Sequence, residues 1–264
     1  MTEPSMQHLP EVVDRETWRA ARLALLEREK AITRERDRVN ADRRRLPMVR
    51  VEQEYVFDGL DGERTLLDLF DGREQLVVHH LMFGPDWDAA CKSCSSAADQ
   101  IPRLRQLHAR RTSLVAISRA PIARIAPYRD RMGWDFPWLS SFRSSFNYDF
   151  HATLDDRVAP IELHHRTASD LEVHGTPWTG GPWEPSMNGE EVPGISVFLR
   201  VGDDVFHTYS TFGRGIEEFH HGYPWLDLTP LGRQEAWEEP AGRAEPLGRQ
   251  VGGPGLRYPD EYDE

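Results

Sequence analysis

The sequence predicts an α/β fold, a central mixed sheet flanked by helices, with a long helix ahead of it and an irregular tail behind. Three observations carry that expectation. Apolar runs of strand length (QLVVHHLMF, SLVAIS, GISVFLR) alternate with stretches of helical composition. Their order of strand, helix, strand, helix, strand implies parallel pairing through crossovers. A stretch from 14 to 46 holds neither Gly nor Pro, whereas the chain beyond Pro230 is rich in Gly, Pro and acid.

Within 14–46, Trp18, Leu25, Ile32, Val39 and Leu46 recur every seven residues, with Arg and Glu at helical spacings between them. A stripe one residue wide suits a helix lying on a surface or pairing with a second subunit, so the N-terminal arm (1–50) offers a route to a homodimer. Asp58-Gly59 and Asp61-Gly62 signal turns, and 65–70 is a short amphipathic piece. The run 75–83 has the length of a buried strand, supported by Val77-Val78. A helix then opens at the cysteines and extends to Arg110-Arg111, with Ser95, Ser96 and Asp99 near its start. Strand 113–118, a helix broken or started around Pro127, and a short strand after Phe136-Pro137 follow. An inserted loop over 155–192 carries Pro, Gly and His164, His165 and His174. A hairpin over 194–200 and 204–209 turns at Val201-Gly202-Asp203, and a last helix starts at 216–221. The main domain spans 51–230 and a flexible acidic tail spans 231–264.

The 264 residues carry 32 Lys+Arg against 44 Asp+Glu, a formal charge of −12. Such an excess of acid repels nucleic acid phosphate, so no nucleic acid partner is expected. No run approaches the length of a membrane helix and the start of the chain lacks an apolar h-region, which makes cytoplasmic residence the expectation. With 39% hydrophobic residues and eight Trp, the chain can bury a core. Two cysteines cannot form a disulfide scaffold for a domain of this size.

Those two are Cys91 and Cys94, three apart, at the start of a helix that follows a buried strand. Amides without helical partners stabilise a thiolate there, and the spacing brings the second sulfur within disulfide reach. Cys91 is therefore the attacking thiolate and Cys94 the resolving thiol, with Lys92 adding positive charge between them.

The segments FGPDW with CKSCS, SRAPIARIAPYRDRMGW, FPWLSSF, FNYDFH, GISVFLR, VFHTYSTFGRG and LDLTPLGR resemble a bacterial family known mainly as a domain of unknown function. That family is sometimes labelled predicted dithiol-disulfide isomerase, and its fold is the thioredoxin-like one in a peroxiredoxin-related form. The resemblance covers roughly 66–233 and implies dithiol chemistry without naming a substrate. It also implies a cis-proline opposite the cysteines, a role that falls on Pro193 ahead of GISVF. Thioredoxin has an aromatic residue directly before its first cysteine, whereas here Trp87 lies four residues earlier.

The expected activity is thiol-disulfide oxidoreduction or isomerisation without a cofactor, acting on a disulfide-containing protein or a small thiol or disulfide. Three alternatives stand beside it. A thiol peroxidase needs Thr or Ser three residues before the reactive cysteine, where this chain has Asp88, and an Arg that Arg119 could supply. A Cu(I)-binding protein would use Cys91 and Cys94 with His151 or His207, since copper favours thiolates; a structural zinc site would need more ligands than one Cys pair. A non-catalytic binding module would leave both cysteines idle, the aromatic segments GWDFPWLSSF and FNYDF lining its pocket or simply its core.

Overall fold

The computed structural model describes residues 10–101, 103–176, 181–219, 227–229 and 257–261. Asp14 caps the first helix, α1 (Arg15–Arg43), by accepting the Thr17 amide at 2.8 Å. No residue of α1 is buried, and its heptad side chains stay between 45% (Leu25) and 61% (Ile32) exposed. Its C-terminal half reaches the body, where Arg36 meets Glu218 at 3.4 Å and Arg43 stacks over Tyr209.

The strands and helices that follow are β1 (Val49–Arg50), β2 (Val56–Gly59), β3 (Gly62–Thr65), β4 (Gln75–His80), α2 (Lys92–Ala98), α3 (Arg105–His108), β5 (Thr112–Ser118), α4 (Ile122–Met132) and β6 (Trp138–Ser140). After them come α5 (Phe146–Asp149), β7 (Thr153–Leu154), β8 (Glu162–Leu163), β9 (Arg166–Thr167), α6 (Ala168–His174), β10 (Glu190–Glu191), β11 (Gly194–Val201) and β12 (Asp204–Phe212). The main sheet has the order β1-β12-β11-β4-β5-β6-β2-β3. Parallel β4 and β5 are joined through α2 and α3, and the antiparallel hairpin β11–β12 lies on the other side of β4. That order and those directions are the thioredoxin-like arrangement.

Alternation along the strands divides the core. Leu76, Val78, Val115, Ile117 and Phe198 face α5 and the β2 side chain Phe57. Ala116 and Trp138 face the other way, toward Cys94, Ala98 and Ile125 on α2 and α4. Fully burying a side chain such as Phe198 or Leu76 stabilises by roughly 1.5–3 kcal/mol. The dithiol is thus built on the second core cluster, at the C-terminal end of β4.

Four expectations change. The helix foreseen from the cysteines to Arg110-Arg111 is two short ones, α2 and α3; Pro102 in the sequence disfavours helical backbone at Ile101 and supplies no amide. The helix foreseen as broken or started around Pro127 runs through it, from Ile122 to Met132. Proline there costs only the bond to Ala123, while buried Ile125 and Tyr128 on either side anchor the helix to the sheet. The stretch 155–192 is more than a loop: β7 pairs with β10 at its two ends, and Leu154, Ile161, Leu163, Leu171, Val192 and Phe212 form a satellite core. Gly213–Phe219 is a 3-10 helix, and His220 and His221 of the expected last helix lie outside the described residues. Most of the tail over 231–264 also lies outside them, but Arg257–Glu261 is described and docks on the body beside α2 and α4.

Candidate functional site

Cys91 occupies the position just before α2, with φ −55° and ψ 131°, so its carbonyl accepts the Ser95 amide at 2.9 Å. Its own amide donates to the Met82 carbonyl at 2.9 Å, which ties the start of α2 to the loop leaving β4. Ser95 reinforces this joint: its hydroxyl donates to the Cys91 carbonyl at 2.9 Å and lies 2.8 Å from the Tyr128 hydroxyl.

Both cysteines are free thiols, Cys91 partly exposed and Cys94 buried. The Cys91 sulfur accepts a hydrogen bond from the Cys94 thiol, and the amides of Cys94 and Ser93 also point at it. These donors outweigh burial and bring its pKa down to about 6. Cys94 shifts the opposite way, because giving up its proton would break that bond and leave a second negative sulfur in a buried place. One thiol is therefore poised to ionise and the other to hold its proton.

Trp87 packs its ring over Gly84, where an added Cβ would lie 2.7 Å from the indole nitrogen, and Arg124 donates to the Trp87 carbonyl at 2.6 Å. Lys92 is turned to Tyr258, its ammonium 5.2 Å from the centre of that ring. Pro193 stands at the head of β11, its carbonyl accepting the Gly213 amide at 3.0 Å, and the next residue, Gly194, pairs with His80. It lies at the same end of the sheet as the loop that leads to Cys91.

Arg119 is placed differently from the sequence expectation. Its guanidinium is 3.3 Å from the buried Glu191 carboxylate and stacks over Tyr148 at 4.7 Å, so it is committed to an internal ion pair. Glu191 also accepts from the Thr153 hydroxyl at 2.7 Å, yet burial outweighs these partners and pushes its pKa up to about 7. With Arg119 so engaged and Asp88 in place of Thr or Ser, neither expected peroxidase element serves Cys91.

The ligand set considered for copper is not assembled either. His151 faces Glu162 at 3.5 Å, and His207 binds the Ser210 hydroxyl at 2.7 Å. Among the described residues no three His, Cys, Asp or Glu side chains converge as a metal site. His79 and His80 point to opposite faces of β4: His79 lines a cleft with Ala97 and Ile101, whereas His80 meets Ser196 at 2.8 Å on the other side. Most of the aromatic side chains are core: Trp134, Phe136 and Trp138 pack with Phe83 and Tyr128 in the cluster that holds Cys94, and Phe146 and Phe150 pack on the other face of the sheet, whereas Phe142 is 51% exposed.

Sequence reasoning missed Ser95, Tyr128 and Tyr258. Ser95 had a signal, since it directly follows the second cysteine. Tyr128 was hidden in a helix that also holds a proline, and Tyr258 in a tail whose composition reads as disordered.

Among the described residues no helix is long and apolar enough to cross a membrane. No curated protein matches the chain. Among solved structures, the peroxidoxin BcpB of Mycobacterium tuberculosis is 14% identical, with a TM-score of 0.42 over 67% of this chain and 94% of that one. A cysteine-to-serine mutant of the PrxQ of Xylella fastidiosa is 11% identical, with a TM-score of 0.40 over 65% of this chain and 88% of that one. A putative thioredoxin reductase of Burkholderia cenocepacia is 13% identical, with a TM-score of 0.36 over 64% and 84%. Residues 7–262 match the family described as bacterial protein of unknown function (DUF899), and the chain belongs to that family.

Proposed function

We propose that this chain is a dithiol-disulfide oxidoreductase in which Cys91 attacks and Cys94 resolves. The observation that carries this reading is the asymmetry of the pair: a partly exposed sulfur receiving hydrogen bonds from Cys94 and Ser93 beside a buried thiol that keeps its proton.

The Cys91 thiolate attacks one sulfur of a substrate disulfide, forming a mixed disulfide and releasing the other half as a thiolate, which takes a proton from solvent. Once Cys91 is no longer anionic, the charge that held the proton on Cys94 is gone. Cys94 can then ionise and attack the Cys91 sulfur, closing the Cys91–Cys94 disulfide and expelling the second substrate thiol. The substrate gains two electrons and the protein loses two, so two thiol equivalents, from one dithiol or two monothiols, must reopen the pair and leave as a disulfide. In the isomerase variant of the cycle, the first released thiolate attacks elsewhere in the substrate before Cys94 does. A dithiol of this kind suits a reducing compartment, in keeping with the cytoplasmic residence expected from the sequence. Peroxide reduction is the weaker reading, because Arg119 is occupied by Glu191.

The test uses a small disulfide such as cystine. Cys91→Ser abolishes its reduction, and Cys94→Ser accumulates a mixed disulfide on Cys91 visible by mass. Equal turnover by both variants and the parent contradicts the proposal.

A further inference from the structure

The segment Arg257–Glu261 is joined to the site by contacts of several kinds. Arg131 of α4 holds Asp260 by two bonds, Nε to Oδ2 at 2.7 Å and Nη2 to Oδ1 at 3.0 Å. The segment is braced internally, with the Tyr258 amide donating to the Glu261 carboxylate at 2.9 Å and Arg257 to the Glu261 carbonyl at 3.2 Å. So held, the Tyr258 ring is within cation–π reach of two cations: Lys92 at 5.2 Å and the Arg131 guanidinium at 5.1 Å from its centre. Its edge meets Tyr128, the residue whose hydroxyl supports Ser95, with centroids 6.2 Å apart. Tyr258 and Cys91 border the same apolar cluster as partly buried members, and the Cys91 charge acts on the Tyr258 hydroxyl.

Each contact is modest, and the ion pair that clamps the segment is at the surface. Arg131 and Asp260 are 43% and 32% exposed, so the clamp opens at small cost. A ring packed on Lys92, the residue next to the reactive cysteine, and on the apolar cluster that both border, fixed by a pair that opens readily, is placed to act on access.

We infer that Arg257–Glu261 is a gate on the dithiol: clamped by Arg131 on Asp260, it admits low-molecular-weight disulfides to Cys91 and excludes disulfides presented on folded proteins. Its use in catalysis rests on the dithiol reading above, but its geometry does not. The gate makes Tyr258 and Asp260 specificity-determining residues that take no part in bond making.

The experiment follows alkylation of Cys91 in the full-length protein, by peptide mass, with two reagents. Iodoacetamide is small; a maleimide on a long polyethylene glycol chain is not. The parent reacts with iodoacetamide and is slow with the bulky maleimide. Tyr258→Ala and Asp260→Asn each speed the bulky reaction about tenfold, which corresponds to about 1.4 kcal/mol of closure, and leave the iodoacetamide rate near the parent's. The same variants gain on an insulin disulfide relative to cystine. Coincident bulky-reagent rates in parent and both variants overturn the gate. Repeating the comparison near pH ~9.5, where even an ordinary cysteine is largely ionised, separates the two ideas. An ordinary Cys91 titration with size selection intact removes the dithiol reading and keeps the gate. A lowered titration with no size selection does the reverse.

Discussion

Glu191→Gln changes the pH dependence of stability in a way that the buried ion pair makes calculable. Glu191 lies two residues before Pro193, 3% exposed, between Arg119 and Thr153, with Glu190, Asn147 and Tyr148 around it. Its pKa is raised from 4.5 to about 7, chiefly by burial. A carboxyl with a raised folded-state pKa favours the native state while protonated. That benefit is complete below about pH 4.5, declines as the unfolded chain ionises, and is exhausted once the pH passes about 7. Between pH ~5 and pH ~8 the loss amounts to about 2–3 kcal/mol for this group alone. Glutamine keeps the shape and cannot ionise. Urea unfolding of parent and variant across that range reads the difference directly, since histidines and other groups titrate alike in both. The parent should lose about 2–3 kcal/mol relative to the variant on going from pH ~5 to pH ~8. Parallel stability curves would refute the reasoning, showing that Arg119 holds the carboxylate ionised throughout.

Two further substitutions probe the scaffold under the cysteines. Gly84→Ala places a methyl within 3.0 Å of three Trp87 ring atoms, so the ring must move; the expected cost is about 1 kcal/mol in urea unfolding, with a shifted Trp87 indole resonance. Ser95→Ala removes the partner of the buried Tyr128 hydroxyl and one tie to the Cys91 carbonyl, and should lower stability by roughly 1–3 kcal/mol in the same assay.

The strands on either side of the dithiol were the most legible elements. β4 and β5 are covered on both faces over much of their length, and that coverage writes itself as a continuous apolar run. The hairpin β11–β12 was legible through alternation and the Gly202 turn, which takes φ +63°. Less could be read where stability comes from distant partners. β1 is two residues that pair with β12, and no local pattern announces so short an edge strand. The helix through Pro127 persists because Ile125 and Tyr128 are buried, a tertiary gain that propensity does not contain. At the site, Cys91 and Cys94 were evident from their spacing, and the motifs around them carried the resemblance to a family expected to use dithiol chemistry. The fate of Arg119 was not, because Glu191 lies 72 residues away in sequence. Tyr258 was hidden for the same reason: its clamp partner Arg131 sits on α4, far from a tail whose composition suggests no order.

The thiolate of Cys91 is best tested by its own titration, followed as thiolate absorbance or as the pH profile of iodoacetamide alkylation. At pH 7 a pKa of about 6 leaves roughly 90% of the sulfur ionised, against roughly 3% for an ordinary cysteine. The lower basicity of such a thiolate cancels most of that advantage, so the rate at pH 7 rises only about twofold and discriminates poorly. The midpoint discriminates well. A Cys91 midpoint near 6 that moves upward in Cys94→Ala, where the largest donor to the sulfur is gone, is the expected result. A midpoint near ~8.5 in the parent, unmoved by Cys94→Ala, contradicts the dithiol mechanism.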